Sequence, residues 1–94
     1  MKACEQIVLQ RALDKWGTAL QLVVAQEECA ELIQATSKFM RNGYTAGVIE
    51  EMADVSIMLD QMVLIFGGDE FSRVRSEKMD RLRDRLNEKE QDHD

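Results

Sequence analysis

A chain of 94 residues, 45% hydrophobic and 32% charged, has room for one small domain with a core and a charged surface. The lack of proline, only 5 glycines and 5% aromatic content favour long helices over a β-sandwich. A net charge of −6 argues against nucleic acid as a partner, because neutralising phosphates needs a basic field.

Four helical segments follow in order. From Lys2 to about Lys15, Cys4, Val8, Ala12 and Trp16 recur at a helical period with Leu9 and Leu13 alongside. Gly17 and Thr18 punctuate the pattern, Thr18 being the expected N-cap. The second segment runs from about Ala19 to Arg41 and stops at Asn42-Gly43, residues that readily adopt the left-handed conformation after a helix. Tyr44-Thr45-Ala46 form a short turn into the third, which reaches about Phe66 and is apolar on nearly every side. Gly67-Gly68 end it, and Asp69 is placed to cap the fourth, which continues to about Glu88. Residues 1–88 thus form a single helical domain, and the polar stretch 89–94 is expected to fray. The expected fold is all-α: a four-helix, bundle-like protomer whose broad apolar faces are completed by self-association.

Two cysteines, Cys4 and Cys29, do not make a disulfide framework, and Cys29, inside an apolar helical pattern, reads as a small core residue. The start of the chain has no apolar signal region, and no run approaches the roughly 18 apolar residues of a membrane span. A cytoplasmic protein with no membrane partner is expected.

Charge is unevenly spread: residues 1–70 carry 11 acids against 5 bases, whereas residues 71–94 carry 7 of each. The acidic part contains two short motifs, Glu28-Cys29-Ala30-Glu31 and Glu51-Met52-Ala53-Asp54, preceded by Glu27 and Glu50. A spacing of i, i+3 puts both carboxylates of a motif on one helical face, about 4.5 Å apart along the axis. Each motif interrupts an apolar stripe: Val24, Ala25, Leu32 and Ala35 surround the first, and Val48, Val55 and Met58 the second. Burying four unpaired carboxylates would consume much of the margin by which a small domain is stable, so a cation should meet them.

The short turn makes the second and third helices an antiparallel pair. At about 1.5 Å per residue from the turn, Glu31 lies roughly 15 Å along its helix and Asp54 roughly 12 Å, so the motifs face each other at nearly the same level. Four convergent carboxylates are hard ligands that suit Mg²⁺, or Mn²⁺, better than zinc. A diiron bundle would need a Glu-x-x-His pair on each of two helices, and the only histidine is His93 near the end of the chain. Magnesium commonly takes substrate phosphates as further ligands, which points to phosphoryl or nucleotidyl chemistry.

Trp16-Gly17, Glu27-Glu28-Cys29-Ala30-Glu31-Leu32 and Glu50-Glu51-Met52-Ala53-Asp54-Val55 together resemble the MazG-like all-α nucleoside triphosphate pyrophosphohydrolases. The family signature is Glu-x-x-Glu followed at a distance by Glu-x-x-Asp; here 19 residues, Leu32 to Glu50, separate the two. The likeness spans about Trp16 to Leu86. It implies Mg²⁺-dependent cleavage of an NTP or dNTP between the α and β phosphates, giving a monophosphate and pyrophosphate, in house-cleaning of the nucleotide pool. It also implies a dimer or a dimer of dimers with pockets built from two chains. By motif position, Glu28, Glu31, Glu51 and Asp54 would hold the metal. One of them, or Glu27 or Glu50, would orient the attacking water.

Phosphates need cationic contacts. Lys78, Arg81 and Arg85 form a ridge on the fourth helix where the family often places a basic residue; Lys78 leads and Arg81 follows. Lys78 can equally be a surface lysine with its stem on the edge of the core. Lys38 and Arg41 are weaker candidates. Trp16 could stack on the base or simply anchor the first helix. Met58 could line the pocket or belong to the core. Few aromatic residues lie near the motifs, which speaks against a pyrimidine-selective pocket. The competing function is a non-catalytic helical dimerisation, adaptor or nucleotide-sensing module on the same scaffold. Two intact acidic motifs on apolar faces favour the enzyme.

Overall fold

The computed structural model describes residues 1–91, with side chains through residue 88. It consists of α1 (Ala3–Trp16), α2 (Thr18–Asn42), α3 (Ala46–Phe66) and α4 (Gly68–Gln91), with no strand among the described residues. Each boundary falls within a few residues of the position read from periodicity. The fourth helix continues three residues past the expected Glu88, into the stretch expected to fray. Residues 92–94, His93 among them, lie outside the described residues.

Local chemistry explains the helix ends. The backbone N–H of Lys2 donates to the Glu5 carboxylate across the first turn of α1. At the α2 terminus Gly43 is left-handed (φ 73°), and its N–H donates to Phe39 O at 2.7 Å, closing an otherwise open carbonyl. The Asn42 side-chain oxygen then accepts from the Tyr44 N–H at 3.1 Å, turning the chain toward α3. Two expected caps move. Thr18 is already helical and Gly17 occupies the cap position; likewise the first bond of α4 runs from the Phe71 N–H to Gly67 O. Asp69 therefore lies inside the first turn, where its negative charge still complements the helix dipole.

Packing is centred on the α2–α3 hairpin, two helices of 25 and 21 residues joined by three. Helix α1 leans on both, while among the described residues α4 touches α3 alone. The molecule is open: its radius of gyration is 17.2 Å, with extents of 58 × 38 × 23 Å. A compact domain of this length would measure about 12 Å. The apolar core is thin, with Leu9, Ala25 and Met58 buried and Gln21 and Gln61 buried beside them. Large apolar side chains stand in solvent on every helix, Ile49 at 67% exposure and Ile33 at 66% among them. Met58 is a core residue, one of the two roles open to it from sequence.

Cys29 departs from expectation: it is exposed, as is Cys4, and both thiols are free. It lies on the outer shoulder of α2, in an apolar cleft shared with Ile33, Met62 and Phe66 that nothing in the single chain covers. Its helical stripe is apolar, which is why periodicity alone assigns it to a core.

Candidate metal centre

The antiparallel hairpin brings the two acidic motifs together. One carboxylate oxygen from each of Glu28, Glu51 and Asp54 lies within 4.8 Å of the others, and all three residues are half-buried. In octahedral coordination with bonds of about 2.1 Å, opposite ligands stand about 4.2 Å apart, so the trio has nearly the reach that a magnesium-sized ion requires. Oε2 of Glu28 and Oε2 of Glu51 are withdrawn from solvent and have no hydrogen-bond partner. Buried acceptors are normally satisfied. Two orphaned carboxylate oxygens on facing helices fit an oxygen-seeking cation.

Electrostatics agree with the geometry. Loss of solvation raises the Glu28 carboxyl above its ordinary value; the charges of Glu31 and Asp54, a hydrogen bond that the protonated carboxyl shares with Glu31, and the charge of Glu51 push it further in the same direction. The Glu51 carboxyl is raised in the same way, first by desolvation, then by the charges of Glu31 and Asp54, by a hydrogen bond that its protonated form shares with Glu31, and by Glu50. Glu31 thus adjoins the trio while remaining exposed, and Glu27 and Glu50 are exposed on the flanks. All four carboxylates read from sequence converge, three as a tight cluster and Glu31 at its edge.

Beside them opens a cleft of about 350 Å³, lined by Glu31, Gln34, Ala35, Lys38, Tyr44, Gly47 and Glu51. Lys38 is the one cationic residue in this lining. The Tyr44 ring rests against Gly47, where a β-carbon would meet Cε1 at 3.4 Å. Sequence reasoning treated Tyr44 as a turn residue and ranked Lys38 low. The signal was present: Glu31, Gln34 and Lys38 continue one stripe of α2 toward the turn, and Gly47 and Glu51 continue its counterpart on α3.

Other expected groups stand elsewhere. Among the described side chains, none from α4 lines this cleft. Lys78 instead lines a groove along α4 itself with Phe71, Val74, Arg75, Met79 and Leu82, and Arg81 is exposed on the same helix. Trp16 is 52% exposed at the end of α1, so it is not a buried anchor. Its ring is covered by the Lys15 ammonium at 5.2 Å, a cation–π contact, and it borders a different cleft with Val8, Arg11 and Ala12. Within one chain, the fold does not gather Lys78, Arg81 or Trp16 around the carboxylates.

Gln61, only 2% exposed, also has an unpartnered side-chain oxygen. It lies two turns beyond Asp54 on α3, and no acidic motif flags it in the sequence. No described helix is long and apolar enough to cross a membrane. No family model, curated protein or solved structure matches the chain.

Proposed function

We propose that the chain is a Mg²⁺-dependent nucleoside triphosphate pyrophosphohydrolase of the MazG-like kind, converting an NTP or dNTP and water to the monophosphate and pyrophosphate. The observation that carries this proposal is the pair of solvent-excluded, unpartnered oxygens of Glu28 and Glu51, gathered with Asp54 across the hairpin. A bound Mg²⁺ or Mn²⁺ would neutralise phosphate charge and make an attacking water more acidic.

The remaining roles belong to the chain. Glu28, Glu51 and Asp54 hold the ion. Glu31, beside the trio and still in contact with solvent, orients the water that attacks the α-phosphorus and accepts its proton. The bond from that phosphorus to the bridging oxygen breaks, and pyrophosphate leaves with the electron pair. Lys38, in the adjoining cleft, meets the charge on the departing phosphates. Tyr44 offers its ring to the base or the sugar. The exposed apolar faces support assembly into a dimer or tetramer.

The same faces favour a second reading, a helical adaptor without catalysis. One experiment separates the two: pyrophosphate release from a panel of canonical and modified NTPs and dNTPs, with Mg²⁺ and with chelator. Release that requires the metal and is lost in Glu51→Gln supports the enzyme. No release from any substrate, or undiminished release by Glu51→Gln, rejects the assigned site.

A further inference from the structure

Of the apolar surfaces that the single chain leaves uncovered, two carry charges of opposite sign. The first is a cleft of about 440 Å³ between α1 and α3, lined by the apolar Val8, Leu9 and Ile57 and by the acids Glu5 and Asp60. The second is the groove along α4 lined by Phe71, Val74, Met79 and Leu82 together with Arg75 and Lys78. One carries two acids and no base; the other carries two bases and no acid. Helix α4 has other cations, but Arg73 is held by Glu70 and Glu77, and Arg83 by Asp80. Arg75 and Lys78, like Arg81 and Arg85, make no ion pair among the described side chains; of these four, only Arg75 and Lys78 line the groove, at helical positions between Val74 and Met79.

We propose that α4 of a second copy of this chain lies in the α1–α3 cleft, each chain lending its α4 to the other about a two-fold axis. The pairing rests on the self-association proposed above and names its surfaces. Phe71, Val74, Met79 and Leu82 cover Val8, Leu9 and Ile57, and Arg75 and Lys78 meet Glu5 and Asp60. Charge selects this cleft over its rival on the far side of the hairpin. That second cleft, lined by Leu22, Ala25, Cys29, Ile33, Met62 and Phe66, has no charged lining residue. Docking α4 there would desolvate Arg75 and Lys78 without a counter-charge. A reciprocal exchange also removes exposed apolar surface from three helices of each chain at once, as an isologous contact does.

The two native cysteines make the test, since Cys4 lines the proposed cleft and Cys29 the rival one. Val74→Cys and Met79→Cys, made separately, place a thiol in either half of the α4 groove. After mild oxidation, the expected product is a disulfide-linked species of twice the chain mass, with the introduced thiol mapped to Cys4. Linkage to Cys29, linkage to Cys4 within one chain, or no linkage from either variant overturns the pairing. Charge reversal gives a readout that needs no new thiol. Asp60→Lys and Arg75→Glu should each weaken dimerisation at least tenfold in sedimentation, and the combined chain should recover most of it. Failure to recover, with helix content unchanged, also overturns the pairing. If the unaltered chain dimerises without a Cys4 linkage, these surfaces are wrong and self-association stands; a chain that sediments only as a monomer removes both.

Discussion

The α2–α3 hairpin and helix α4 are built from helices of similar length but handle charge in opposite ways. On α4 the ion pairs are local and exposed: Arg73 with Glu70 and Glu77, Arg83 with Asp80, each three or four residues apart. Such pairs satisfy themselves within one helix and contribute little to stability. In the hairpin, acids from two helices meet with no base among them, and two of their oxygens are cut off from water. The difference separates charge that is balanced within one helix from an acidic cluster that could hold a metal ion.

Substitutions can break or sharpen that contrast. The largest effect should fall on turnover: Glu51→Gln should lower Mg²⁺-dependent pyrophosphate release by at least about 100-fold, since even outer-shell changes at metal sites cost about 10–100-fold. Arg73→Ala, on the self-satisfied helix, should leave the rate unchanged. Equal losses in both would erase the distinction.

Stability should divide along the same line. Met58→Ala, in the thin core, should cost about 2–4 kcal/mol in urea unfolding at fixed protein concentration. Arg73→Ala should cost less than about 1 kcal/mol. A Met58→Ala cost that small would mean the hairpin is not the stabilising unit.

Substrate affinity offers a finer comparison between two lysines. Lys38→Ala should raise KM for the triphosphate by roughly tenfold, the effect of losing about 1.4 kcal/mol of binding. Lys78→Ala, whose side chain belongs to the α4 groove, should move KM by much less. The reverse order would return the phosphate role to α4.

The smallest effect is a slope with pH. Glu28 and Glu51 have carboxyl groups raised above the ordinary 4.5, so without metal the folded chain binds more protons than the unfolded one in the window above that value. The contribution of these groups to stability is then greatest below about pH 4.5 and declines as pH rises through their folded values. Thermal melts in chelator should show that decline, and Glu28→Gln with Glu51→Gln should flatten it. Added Mg²⁺ should stabilise the unaltered chain at neutral pH and leave the double variant unmoved. A double variant with the same pH slope as the parent would place its source elsewhere.

Much of this architecture was legible before any coordinates. The period of Val8, Ala12 and Trp16, the stop at Asn42-Gly43 and the glycine pair at 67–68 located four helices to within a few residues. Matched distances from one short turn placed Glu28 and Glu31 opposite Glu51 and Asp54. Less of the surrounding site could be read. Lys78 and Trp16 drew attention as a cation and an aromatic on apolar stripes, yet Lys38 and Tyr44 are the groups beside the carboxylates. Stripe membership reports which side of a helix a residue occupies, without saying what that side meets. Cys29 illustrates the same point, since its stripe borders a cleft that the single chain leaves open.

The amino-acid order alone determined the helices, their ends and the pairing of two acidic motifs, because hydrogen bonding, glycine geometry and helical spacing act over a few residues. Only the tertiary structure decided which oxygens lose water, which lysine adjoins them and which apolar faces stay bare. Those outcomes depend on how helices from distant parts of the chain come to rest against one another, and burial is a property of that contact.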